Sequence, residues 1–125
     1  MTLAIEVNIF DMPMKAAGDL SAKQYYGMKV SADFTVTTAG AADAALIGIL
    51  QNKPAAAGRS ASVRKVGISK VVLGGTVAAG DRLTTDSSGK LIKTTTSNNR
   101  YCAIAIEGGD SGDTVSAVME FGYVP

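Results

Sequence analysis

Apolar residues along this chain recur at every second position more often than every third or fourth, the spacing of strands and not of helices. Asp33-Phe34-Thr35-Val36-Thr37 alternates and is rich in β-forming side chains, so it predicts a strand. Ala45 to Gln51 is a short apolar run, as expected of a strand buried on both faces. Between Arg59 and Leu73 the apolar positions are Val63, Val66, Ile68, Val71 and Val72, and their alternation changes phase near Gly67. Two strands, or one strand with a bulge, account for that change. Gly74-Gly75 then turns the chain.

Apolar residues on both sides of Asp86-Ser87-Ser88-Gly89 predict a β-hairpin, with Arg82-Leu83-Thr84-Thr85 entering and Lys90-Leu91-Ile92-Lys93 leaving. Ser97-Asn98-Asn99 and Pro54 to Gly58 are loops. Tyr101 to Glu107 and Thr114 to Phe121 form two further strands around a Gly108–Asp113 turn. Many short strands punctuated in this way predict an all-β fold, a small single-domain β-barrel or sandwich. The first 24 residues behave differently. Ile5, Val7 and Ile9 alternate, Phe10, Met12, Pro13 and Met14 follow without a clear period, and Lys15 to Lys23 is weakly helical in composition. An edge strand followed by a turn explains this, and so does an extended N-terminal arm over residues 1–24 that docks its apolar side chains on a partner. With the arm, the β domain spans residues 25–125.

The chain has 125 residues, 46% hydrophobic and 18% charged, and its apolar content is mostly small: three Phe, four Tyr and no Trp. One domain is expected. Cores without large aromatic anchors gain less per residue, which leaves room for assembly to contribute. There is no His, which excludes His-based catalysis, His metal sites and His pH switches. One cysteine, Cys102, cannot form an internal disulfide or a thiolate zinc cage, and its apolar neighbours mark it as a small core residue. Acid near the N-terminus argues against a secretory signal, and the longest apolar run is too short to span a bilayer. A soluble, cytosolically made and unprocessed chain is the expectation.

Charge is balanced at +1 overall but unevenly spread. Residues 44 to 100 carry nine bases against Asp81 and Asp86, a net of +7; residues 101 to 125 carry four acids and no base, a net of −4. Neighbouring strands could neutralise each other within one domain, the simpler reading, or the two regions could complement a partner or another copy. The basic stretch lacks interleaved aromatics, which argues against nucleic acid.

Motifs for chemistry are weak. Gly109-Asp110-Ser111-Gly112 matches the string around a serine-protease nucleophile, but no histidine is present to take the serine proton, so a tight turn is the better reading. Asp110 and Asp113 supply too few oxygens for a hard cation without help from another chain. No acid/base pair, phosphate loop, metal site or cofactor site can be nominated, and no enzymatic activity is expected.

One ordered set of elements looks familiar. Gly48-Ile49-Leu50-Gln51-Asn52-Lys53-Pro54, Ser62 to Val71, Val77-Ala78-Ala79-Gly80-Asp81-Arg82-Leu83-Thr84-Thr85-Asp86, Ala103 to Glu107 and Gly112-Asp113-Thr114-Val115 together resemble the capsid decoration, or cement, proteins of tailed bacteriophages. The resemblance covers roughly residues 46 to 119 and marks strands and turns, not a site. It implies a non-enzymatic protein on the outer capsid surface of the virion, made in the host cytoplasm. It also implies the major capsid protein as partner, and a homotrimer at threefold positions of the matured head that resists the pressure of packaged DNA. An arm led by Ile5, Val7, Ile9, Phe10 and Met12 would then lie along the shell or clasp a neighbouring subunit. The alternative is a carbohydrate-binding or adhesive β module on a virion or cell surface. That reading would need exposed aromatics, and Tyr25-Tyr26 is the one aromatic pair.

Overall fold

Residues 10–125 are described by a computed structural model and contain ten strands and no helix. Strands β1 (Phe10–Ala16), β2 (Gly27–Ala32), β3 (Thr35–Thr38), β4 (Leu46–Leu50) and β5 (Ser60–Val66) close into a barrel in the order β1-β3-β2-β4-β5. The remaining five, β6 (Ile68–Val72), β7 (Arg82–Thr85), β8 (Leu91–Lys93), β9 (Arg100–Ala105) and β10 (Thr114–Tyr123), form a second sheet in the order β6-β10-β9-β7-β8. The expected all-β class is what the chain adopts, as a barrel with a second sheet beside it.

β4 is the wall the two halves share. Its pairing with β2 slips by one residue between Met28 and Lys29, a bulge that turns Ile47 out of phase. Leu50 can then face the barrel core with Met28, Val36, Ala61 and Val63, while Leu46 and Ile49 join the core under the second sheet. That is the strand buried on both faces that the apolar run predicts. Gly48 is required here: a Cβ would run into the Arg64 carbonyl and Val63 on β5. The phase change at Gly67 is two strands. β5 ends the barrel and β6 starts the second sheet, and Gly67 between them has φ +106°, a conformation side chains disfavour.

Two local readings are corrected. Asp33 and Phe34 are not strand but the two-residue turn joining Ala32 to Thr35, with Phe34 left-handed at φ 50°. Lys15 to Lys23, weakly helical in composition, forms no helix, and the alternative of a strand followed by a turn holds there: turns bring Leu20 inward, its amide donating to the Pro54 carbonyl at 2.8 Å, so that it plugs the barrel core. Of the arm expected over residues 1–24, Phe10–Ala16 is a barrel strand, paired antiparallel with β5 from Phe10↔Val66 to Lys15↔Ser60 and parallel with β3 at Lys15 and Ala16. The reason is alternation: Met12, Met14 and Ala16 pack on the barrel core, which satisfies a period of two once β5 supplies a partner. Pro13 lacks an amide proton and sits where β3 has not yet begun to pair. Ile5, Val7 and Ile9 lie outside the described residues.

The elements that carry the family resemblance have structural work to do. Beyond the end of β4, Asn52 continues its pairing by side chain: Nδ2 donates to the Ser60 carbonyl at 2.9 Å and Oδ1 accepts the Ser62 amide at 3.0 Å. Gln51 Nε2 donates to the hydroxyl of buried Ser69 on β6 at 2.8 Å, tying barrel to sheet. Asp81 Oδ2 caps the Ala78 amide at 2.9 Å, and the Gly80 amide donates to Ala105 at 2.8 Å. Asp86 Oδ1 likewise accepts the Ser88 and Lys90 amides and sets the predicted β7–β8 hairpin.

Candidate partner-binding surface

An exposed apolar row crosses from the barrel onto the second sheet. Register aligns Phe10 with Val66 across β1 and β5, Ile68 with Val118 across β6 and β10, and Val118 with Ile104 across β10 and β9. Gly67 alone separates Val66 from Ile68, so the two pairs follow one another along the chain. Phe10 is 53% exposed and Ile68 55%, with Val66 and Val118 also open to water and Ile104 half-buried. Scattered exposed apolar residues are ordinary, but a contiguous row of five on rigid strands has the character of a protein interface.

Arg64 fixes the row from beside it, two residues before Val66 on β5. Its Nε and a terminal nitrogen donate to the two carboxylate oxygens of Asp11 at 2.8 and 3.1 Å, and its other terminal nitrogen donates to the Ile68 carbonyl at 2.9 Å. One guanidinium thus holds β1, β5 and β6 together beside Phe10, Val66 and Ile68. The Asp11 carboxylate raises the Arg64 pKa further above its ordinary value, so the clamp stays charged.

A second apolar feature lies at the barrel mouth. Phe34, 72% exposed at the tip of the β2–β3 hairpin, borders a shallow depression of about 670 Å³ with Met14, Val30 and Ala32. A bulky side chain at positive φ carries strain.

Of the predicted contact residues, Phe10 opens the row, whereas Met12 is half-buried and packs on the barrel core. Val66, Ile68, Val118 and Ile104 were missed by sequence reasoning, because each stands on the outward face of a different strand and only the pairing brings them together. The signal available was the apolar character of Val66 and Ile68 on either side of a glycine. Tyr25 and Tyr26 do not form a stacking platform. Each is half-buried, Tyr25 against the core under the second sheet and Tyr26 against the barrel core. Cys102 is fully buried as expected, and burial pushes its thiol up to about 12. The Gly109–Gly112 string is a turn, with the Asp110 amide donating to Asp113 Oδ2 at 2.9 Å and Gly112 at φ +91°.

The opposing charges do not cancel by contact. Among the described residues three ion pairs form, Lys29–Asp43, Arg64–Asp11 and Lys93–Asp81, and none joins the basic region to residues 101–125. The two regions are nonetheless neighbours, as the simpler expectation has it, with β6 paired to β10 and β7 to β9, so their charges lie side by side without ion pairs between them.

Comparison with known proteins agrees with the fold. The family described as phage cement protein matches residues 6–120, so the chain belongs to that family and is a structural protein of the phage capsid surface. No curated protein matches it in sequence. Among solved structures it is similar to the N base of head fiber gp8.5 in bacteriophage phi29. The identity is 18% and the TM-score 0.63, over 90% of this chain and 94% of that one, a likeness of fold.

Proposed function

We propose that this cement-family chain binds the outer surface of the matured head as a homotrimer at threefold positions, with the major capsid protein as its partner. There it holds the shell against the outward load of packaged DNA. The observation that carries this reading is the apolar row from Phe10 to Ile104, left open on a rigid face by a member of that family. Ile5, Val7 and Ile9 precede Phe10 in the sequence and would extend the row along the shell, with half-buried Met12 anchoring the strand that Phe10 opens. The fold likeness to a head fiber base supports a place on the exterior of the head.

The mechanism needs no catalysis. A ligand that binds the intact shell and not the ruptured one stabilises it by RT ln(1 + [L]/Kd) per site, about 2.7 kcal/mol at a hundredfold excess over Kd. Three linked subunits that bridge several shell proteins make the later contacts intramolecular, which raises avidity by about 10² to 10⁴.

The test is co-sedimentation with matured and with unexpanded heads of the source phage. Saturable binding to matured heads alone is expected, and loss of that binding when residues 2–9 are deleted. The deletion stops there because β1 begins at Phe10 and a longer one would open the barrel. No binding to either kind of head would overturn the proposal, and full binding by the shortened chain would remove the N-terminal segment from the contact.

A further inference from the structure

Two bulges converge beside the apolar row. Along β5 the ladder with β1 passes from Arg64, opposite Asp11, to Val66, opposite Phe10, and leaves Lys65 without a partner. Along β10 the ladder with β9 passes from Met119, opposite Ala103, to Gly122, opposite Tyr101, so Glu120 and Phe121 share the single position of Cys102. Extra residues of this kind are re-aimed from the regular alternation of a strand. Here two of them meet: Lys65 Nζ lies 4.2 Å from the centroid of the Phe121 ring.

A second cation joins them. The Arg100 guanidinium, at the start of β9, lies 5.0 Å from the centroid of the same ring and 5.2 Å from that of Tyr123, its partner across the ladder. The rings hold both side chains in place without cancelling their charge. Neither Lys65 nor Arg100 makes an ion pair among the described residues, and the buried Arg100 Nε has no hydrogen-bond acceptor. Glu120, the other residue of the β10 bulge, is exposed and outside ion-pair reach of both. Asp11, on the strand paired with β5, gives both of its oxygens to Arg64. The two positive charges on the Phe121 ring are therefore left for a partner to meet.

This site is continuous with the row. Lys65 precedes Val66 on β5, Phe121 shares β10 with Val118, and Arg100 shares β9 with Ile104. A partner that covers the row thus meets the cations along the same strands. A sugar or a nucleic-acid base would need free ring faces with polar groups beside them. The Phe121 ring already carries both cations, and the row offers apolar side chains alone.

We infer that Lys65 and Arg100 select the shell segment that docks on the row. It is a polypeptide whose apolar side chains cover the row and whose carboxylates meet these two cations. The inference rests on the reading that the row faces the shell, and adds the chemistry of what it binds there. Apolar contacts would supply most of the affinity, while the charges set register and reject partners without an acid in place.

Co-sedimentation of the full chain with matured heads is the experiment. Binding should weaken several-fold between about 0.05 M and about 0.5 M salt, where screening shortens to a few ångströms. Lys65→Glu should lower affinity by roughly tenfold or more, because like charges then face each other. Lys65→Gln, which keeps the stem over the ring and removes only the charge, and Arg100→Gln should each fall between that variant and the unaltered chain, a grading by charge that misfolding would not produce. Lys53→Glu makes the same change of net charge at an exposed loop position outside the site and should bind as the unaltered chain does. Binding indifferent to salt, to Lys65→Glu and to Arg100→Gln would overturn the inference while leaving the row as the shell contact. An equal loss in Lys53→Glu would overturn it as well, since net charge alone would then be at work. Binding of polygalacturonate that is lost in Lys65→Glu, with head binding unchanged, would assign the site to an acidic glycan and overturn it too. Failure of the unaltered chain to sediment with heads at either salt concentration would remove the shell reading and the inference together.

Discussion

Asp43 shows how much of the barrel's geometry rests on single side chains in loops. Its Oδ2 accepts the Gly40 amide and its Oδ1 the Ala45 amide, both at 2.9 Å, and Lys29 Nζ stands 3.6 Å away. These contacts, the Gly40 amide foremost, hold its carboxyl below the ordinary 3.8. A carboxyl depressed by folding contributes stability that is complete above its unfolded value and drains away as pH falls through the folded one. Asp43→Asn should therefore cost about 1 kcal/mol at neutral pH, and urea unfolding repeated at roughly pH 3 should show that difference shrinking. At this scale the sequence is legible where chemistry is local. The aspartate turn before β8 and the buried Cys102 follow from immediate neighbours. Phe34 does not: a β-forming residue in an alternating run reads as strand, and only the pairing of Ala32 with Thr35 makes it a turn.

Between elements, the position to probe is Gly67. Its carbonyl accepts the Met119 amide at 2.8 Å, its φ of +106° directs β5 into the barrel and β6 into the other sheet, and Arg64 spans the junction. Gly67→Ala should cost about 2 kcal/mol through backbone strain, read as a lower midpoint in chemical denaturation with an unchanged slope. The break in alternation at this glycine is visible in the sequence. That the two strands separate into different sheets is not, because that choice is made by partners far along the chain. β1 is the plainest case. Its sequence shows an ambiguous apolar stretch, and its identity as a strand depends on β5, whose Arg64 meets Asp11 from 53 positions away.

For the whole molecule, the question is which exposed apolar groups serve folding and which serve assembly. The charge asymmetry was legible from counting alone, whereas the adjacency of the basic and acidic strands, with no ion pair between them among the described residues, could be learned only from the fold. Of the apolar row only Phe10 was legible, since β1, β5, β6, β10 and β9 each contribute a single residue to it. Ile68 separates the two roles most cleanly. More than half of its surface stays in water in the folded monomer, so little of its hydrophobic burial contributes to stability. Ile68→Lys should therefore shift the unfolding free energy by no more than about 0.5 kcal/mol, the range typical of surface positions. In a desolvated interface the same change places an unpaired charge against apolar partners and costs about 2 kcal/mol or more, roughly a thirtyfold loss of affinity. Thermal melting and head co-sedimentation measured on this one variant should thus diverge: an unchanged transition with weakened binding. A lowered transition with unchanged binding would mean that the row is an exposed edge of the core, and that the shell contact lies elsewhere on the surface.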